Sequence, residues 1–400
     1  MIKREIYLNK IIPFIDIDLI KVITGIRRCG KTVLLSQIQE FLLENKNIKE
    51  ENIIAINFES ARYDHLKENN KLYDYIIEKV SRLDNKVYIF IDEIQEVENW
   101  QRIINSFRVD FDCDIYITGS NSKLLSGELA TYLAGRYIQI PVYPFSFKEL
   151  KKLFVEQNKF TTNEQLFSDY LNYGGFPQRC YFQDDSSINT FLKDLYETII
   201  IKDIMNRHKI KDVALLRKII SFILDNIANP FSSRSIVKTL ESQGTKISIS
   251  TLLNYIEYSK EAFIIFCVNR YDITGKKLLS TQEKYYSVDI GIRNCIKNSE
   301  KIDLNKLYEN IVFLEMLIRG YEIHVGKLGN KEIDFICYKG KEKVYIQVAY
   351  LINENDRARE FGNLEKINDN YPKYVISSDL VDMSQNGIIH KNIIQFLLEE

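Results

Sequence analysis

Two stretches concentrate residues able to act on a phosphate. "GIRRCGKT", Gly25 through Thr32, spaces two glycines across four residues and ends in a lysine and a threonine. Gly25 and Gly30 let the backbone curl so that N–H groups converge on phosphate oxygens, and Ile26, Arg27, Arg28 and Cys29 form the rest of the loop. Lys31 would reach the β- and γ-phosphates of a nucleotide. Thr32 would offer its hydroxyl to Mg2+, which keeps most of its waters and takes few protein ligands. "VYIFIDE", residues 87–93, is an apolar run closing on two carboxylates. Asp92 would hold Mg2+ through water, and Glu93 would orient or deprotonate an attacking water.

A third run, "DIYITGSNS", ends in Thr118, Ser120 and Asn121. A polar side chain there can hydrogen-bond the γ-phosphate or the attacking water; a helix N-cap by Ser120 or Ser122 is the alternative. Arg136, in "LAGRY", is the candidate for neutralising charge in the transition state, within its own chain or on a neighbour's site.

These residues need a scaffold that brings separate strand ends together. From Leu19 to about Pro141, short β-branched runs ("LIKVIT", "NIIAINF", "KVYIFID", "CDIYITGS", "RYIQIPV") alternate with longer amphipathic segments. That order predicts an α/β fold with a parallel sheet, helices on both faces and ligands at the carboxyl ends of the strands. A helical region follows over residues 146–206, with a "YGGFPQ" loop at 173–178. From Val213 the pattern is three helices and two strands, the layout of a winged helix-turn-helix over residues 207–300. Residues 301–400 read helix, three strands (321–326, 332–338, 343–350), helix, strand, helix.

Composition narrows the partners. Lys+Arg 54 against Asp+Glu 55 gives a formal charge of −1, so no global field draws the chain to nucleic acid or an acidic membrane. Six scattered cysteines without a CxxC pair argue against zinc or a disulfide framework and favour a reducing cytoplasm. The charged N-terminus does not read as a secretory signal, and "IISFIL" at 219–224 falls far short of a membrane span.

"VITGIRRCGKT", "IDEIQEVENWQ", "ITGSNSKLLSGELATYLAGRY", "PVYPFSFKEL" and "YGGFP" together resemble the prokaryotic AAA-family ATPases that carry a C-terminal domain of unknown function. The resemblance covers essentially the whole chain. It implies an ATP-binding core over residues 1–145, a winged-helix region, and a C-terminal domain similar to restriction-type nucleases. It implies no particular substrate.

In PD-(D/E)XK nucleases, a helix Glu, a strand Asp and the Glu of Glu-x-Lys bind the metal, and Lys helps position the water. Here "KEIDFICYKGKEKVYIQVAY", residues 331–350, places Asp334 on the first strand of a pair. Glu309, in "YENIVFLEMLIRGYEI", matches the helix position. Gln347 and Ala349 stand where Glu and Lys belong. Gln347 removes a negative charge and Ala349 leaves nothing there to orient water, so the expectation is a nuclease-like region without hydrolytic activity.

The third helix of the winged-helix pattern, "SISTLLNYIEYSKEAF", has Glu257, Lys260 and Glu261 as its charges. It offers little for phosphate neutralisation, although Asn254 could read adenine and Arg270, Lys276 and Lys277 could touch a backbone. The sequence therefore points to a cytoplasmic Mg-ATP-dependent ATPase that drives or gates recognition of a partner, with DNA and protein both open as its class and homo-oligomerisation open too. The alternatives are a nucleotide-gated binding module with negligible turnover and an ATP-regulated nuclease.

Overall fold

The computed structural model describes residues 2–68, 70–121, 133, 135–159, 161–297 and 303–399. Two compact units divide the chain, Met1–Tyr143 and Pro144–Glu400.

In the first unit the five apolar runs become five parallel strands: β1 (Ile20–Thr24), β2 (Ile53–Asn57), β3 (Val87–Asp92), β4 (Cys113–Gly119) and β5 (Tyr137–Pro141), in the order β2-β3-β4-β1-β5. Every residue of β1 and β3 is buried, because helices cover both faces of the sheet. This explains why those runs read as continuously apolar rather than alternating. Ile89, Ile91, Ile115 and Ile117 pack with Leu72, Ile76, Ile103, Ile104 and Phe107 from the helices Lys71–Val80 and Trp100–Asp110. β4 lies between β1 and β3, so its carboxyl end stands between the phosphate loop and the Asp92-Glu93 pair. A helix not expected from the sequence, Glu5–Ile11, precedes β1 and buries Tyr7, Leu8 and Ile11.

The second unit opens with the helices Phe147–Glu156 and Asn163–Tyr173, each started by a capping box, from Ser146 with Glu149 and from Thr162 with Gln165. The "YGGFP" loop follows. At Gly174 the backbone has φ 68°, and a Cβ there would lie 2.1 Å from the Asp289 carboxylate. That carboxylate accepts the Gly175 N–H at 2.7 Å and the Ile292 N–H at 3.1 Å, and burial pushes its pKa up to about 6. The helix Asp185–Thr198 runs on into a π-helical stretch, Ile199–Met205.

Three helices then appear where the pattern predicts them, Val213–Asp225, Ser233–Ser242 and Ile249–Glu261. With them come β6 (Pro230–Phe231) and the hairpin β7 (Ile265–Asp272) and β8 (Lys277–Ser287). The C-terminal part supplies the helix Leu304–Ile318, β9 (Glu322–Leu328), β10 (Lys331–Lys339), β11 (Glu342–Val348), the helix Glu354–Glu365, β12 (Lys373–Ser377), β13 (Ile388–Asn392) and the helix Ile393–Leu398. β13 was not legible in the sequence. Non-local pairing joins these parts: β7 pairs in parallel with β9, giving one eight-stranded sheet ordered β13-β12-β11-β10-β9-β7-β8-β6. Among the described residues, no helix is long and apolar enough to cross a membrane.

Candidate functional site

The loop after β1 can only be built with glycine at its start. Gly25 has φ 152°, and a Cβ on it would fall 2.1 Å from the Val142 carbonyl oxygen. Gly30, at φ 101°, turns the chain into the helix Lys31–Asn45, whose first residues carry the positive end of the helix dipole. The Lys31 ammonium donates to the carbonyls of Gly25 at 3.0 Å and Ile26 at 3.3 Å and lies 3.8 Å from the Glu93 carboxylate. Arg28 is exposed at φ 63°, and Arg27 reaches Glu59 at 3.4 Å. Cys29 is fully buried, which pushes its thiol pKa up and leaves it unsuited to redox chemistry.

Asp92 and Glu93 meet this loop. The Thr32 hydroxyl donates to Asp92 Oδ2 at 2.6 Å. Asp92 Oδ1 accepts from the Thr118 hydroxyl, and the same Thr118 oxygen accepts the Glu93 N–H at 3.0 Å. Glu93 sits at φ 55°, an unusual backbone state for a non-glycine residue and one often found at functional sites. Its carboxylate takes a hydrogen bond from the Gln95 amide. Burial raises the pKa of Glu93 above the ordinary carboxylate value, with Lys31 and Gln95 opposing the shift. The paired oxygens of Thr32 and Asp92 suit a hard cation that takes few protein ligands.

Ser120 and Asn121 are both buried at the same end of the sheet. Ser122 lies outside the described residues, as does most of "NSKLLSGELATYLA". Arg136 is not brought to this site. Its carbonyl accepts the N–H of Ile20, the first residue of β1, and its guanidinium donates to Asn105 at 3.1 Å. It therefore sits at the amino end of strands whose carboxyl ends carry the phosphate loop, a strand's length of about 13 Å away. Of the two sites open to Arg136, its own chain's phosphate loop lies at the opposite end of β1.

Sequence reasoning missed Arg4 and Gln95, and it undervalued Thr118. The Arg4 side chain is buried, donates to the loop carbonyl of Cys29 at 2.7 Å and to that of Tyr143 at 3.0 and 3.1 Å, and lies over the Tyr7 ring. A single arginine near a charged N-terminus carries no local signal of burial. Thr118 could have been found from its place at the end of the strand between the two motifs.

The second unit gathers a different cluster. Glu309, Asp334 and Gln347 do come together: Asp334 Oδ2 accepts the Val348 N–H at 2.8 Å, and Gln347 Oε1 accepts the Asp334 N–H at 3.4 Å. Ala349 packs in the apolar core with Ile333, Ile336, Phe361 and Leu364, so a lysine at that position would enter hydrocarbon. An ammonium nevertheless reaches the cluster from another element, Lys284 of β8. Its Nζ lies 2.8 Å from Glu309, 2.8 Å from Glu332 and 3.8 Å from Asp334. The sequence could not show this, since Lys284 belongs to the hairpin and not to the strand pair.

The parallel sheet, the glycine-built loop and the strand-end carboxylates define a P-loop ATPase domain of the AAA type, and residues 18–151 match the family model described as an AAA domain. Residues 164–303 match a domain of unknown function. The chain is 41% identical to an uncharacterized protein of Haemophilus influenzae over 100% of this chain and 99% of that one. It is 34% identical to an uncharacterized protein of Methanocaldococcus jannaschii over 92% and 81%. It belongs to one family with them. Among solved structures, a Walker-type ATPase of Pyrococcus abyssi is 16% identical with TM-score 0.48, covering 74% of this chain and 96% of that one.

Proposed function

We propose that the first unit binds and hydrolyses Mg-ATP and that the second unit recognises a partner. The observation that carries this is the hydrogen bond of Thr32 to Asp92 beside the Lys31–Glu93 pair, which gathers the cation ligands, the phosphate-binding ammonium and the water-activating carboxylate in one place. Bound Mg2+ would neutralise phosphate charge. Lys31 would exchange the Gly25 and Ile26 carbonyls for phosphate oxygens, Glu93 would hold the attacking water, and Ser120 and Asn121 would stand near the γ-phosphate. Steady-state phosphate release by the wild-type chain tests this. ATP binding without turnover would favour the second reading, a nucleotide-gated module, for which the tethering of Glu93 by Gln95 and Lys31 speaks.

Arg136, remote from its own loop, would act on a neighbouring copy. Turnover per chain should then rise with protein concentration, and mixing Arg136→Ala with Lys31→Ala should restore activity at hybrid sites. Concentration-independent turnover would remove that role.

Residues 207–300 we read as a winged helix that docks a protein rather than DNA. The open side of the helix Ile249–Glu261 presents Ile249, Leu253, Asn254 and Glu257, with no cation among these four to meet a phosphate. Residues 301–400 we read as a nuclease-like region that does not cut nucleic acid, in a cytoplasmic protein. Cleavage by the wild type with Mg2+ or Mn2+, abolished by Asp334→Ala, would overturn this last reading.

A further inference from the structure

A metal-dependent nuclease site needs carboxylate oxygens free to bind a cation, and here the chain places its own donors on all three carboxylates. Glu309 Oε1 takes Lys284 at 2.8 Å and the Tyr286 hydroxyl at 2.7 Å. Glu332 has Lys284 at 2.8 Å on one oxygen and Arg270 at 3.8 Å on the other. Asp334 has Lys284 at 3.8 Å on one oxygen and the Val348 N–H at 2.8 Å on the other. Among the described residues, no group of three His, Cys, Asp or Glu side chains could hold a metal ion. The residues present therefore do not fit the cation that the nuclease-like pattern implies.

We propose that the Lys284 ammonium is a built-in cation that takes the place of a divalent metal among Glu309, Glu332 and Asp334, so that the cluster fastens the β7–β8 hairpin to β10 and the helix Leu304–Ile318 instead of holding a metal. Lys284 is nearly fully buried and reaches all three carboxylates, which come from two separate elements. Its burial works against the charged form, but Glu309, Asp334 and Glu332 together outweigh that and raise its pKa. An ammonium so held stays charged at any physiological pH. Burial also raises the pKa of Glu309 and of Asp334, the latter further through Glu309. With Arg270 beside Glu332, two built-in cations stand against the three carboxylates. Removing the lysine charge while keeping its bulk would leave a carboxylate nest in need of a cation.

The proposal rests on the reading of this region as nuclease-like without hydrolysis. Its test is Mn2+ binding by the full chain without nucleotide, followed by electron paramagnetic resonance and by thermal unfolding. Lys284→Met should gain a Mn2+ equivalent that the wild type lacks, with a melting temperature that rises as Mn2+ is added. Adding Asp334→Asn to Lys284→Met should abolish both. A folded Lys284→Met chain that gains no Mn2+ overturns the proposal, as does Asp334-dependent Mn2+ binding by the wild type.

If Lys284→Met does not fold, the wild type labelled with 13C-lysine decides, with the Lys284 resonance assigned by its loss in Lys284→Arg. Mn2+ should leave that signal sharp; paramagnetic broadening would place a metal in the cluster and overturn the proposal. Asp334-dependent cleavage by the wild type would instead sink the underlying reading, a separate outcome.

Discussion

The phosphate loop and the β8–β10 cluster both set a lysine against carboxylates, yet the two lysines are held by different groups. Lys31 rests on two neutral carbonyls with Glu93 at 3.8 Å, an arrangement that a phosphate can displace with little loss. Lys284 is in contact with three carboxylates, two of them at 2.8 Å. A ligand arriving there would have to separate charges already paired in a low-dielectric interior. The same residue types thus make an exchangeable site in one unit and a closed one in the other. What decides is whether the lysine's present partners are neutral or charged.

The comparison breaks most visibly if Lys31 is removed. Lys31→Ala should weaken ATP binding by about 100-fold or more, measured by titration with a fluorescent ATP analogue. Unchanged affinity would mean that the loop does not hold the phosphates. Glu93→Gln should retain ATP binding while turnover falls at least about 100-fold. A wild-type rate in a phosphate-release assay would remove Glu93 from the chemistry.

On the closed side, Lys284→Gln leaves the carboxylates without their central cation and should cost about 3 kcal/mol of stability, read from the urea midpoint. An unchanged midpoint would show that Lys284 is not fastening the hairpin. Thr118→Val removes the hydroxyl that holds both Asp92 and the Glu93 backbone, and should lower turnover by roughly five- to tenfold, about 1 kcal/mol. Equal rates for the two proteins would confine Thr118 to packing.

The smallest effect concerns pH. Because burial raises the pKa of Glu93, its charged, water-accepting form is lost as pH falls at a higher pH than for an ordinary carboxylate of pKa 4.5. The acid limb of the rate profile should lie above that value and should vanish in whatever activity Glu93→Gln retains.

The central strands β1 and β3 were legible because each is buried on both faces, which writes a local apolar run, and the phosphate loop because Gly25 and Gly30 mark a turn that other residues cannot form. Arg4 was not legible. A buried guanidinium that braces the Cys29 carbonyl looks, in sequence, like any other cation near a terminus. Nor could β13 be read: Ile388, His390 and Asn392 are buried in strict alternation with Ile389 and Lys391, but two of the three buried side chains are polar, so no apolar period shows in the sequence.

The sequence by itself determined the phosphate loop, the Asp92-Glu93 pair and the α/β alternation that sets both at the carboxyl ends of strands in one parallel sheet. All of these depend on local residue order and on the short reach of a strand–loop–helix unit. Only the tertiary structure decided that Arg136 stands at the far end of the sheet, that Thr118 bridges the two motifs, and that a lysine from β8 enters the carboxylate cluster of β10 and the helix Leu304–Ile318. Those facts depend on which strands lie side by side and on how the β7–β8 hairpin joins β9. Non-local pairing leaves no periodic trace along the chain, because the energy that selects it comes from burying side chains distant in sequence against one another.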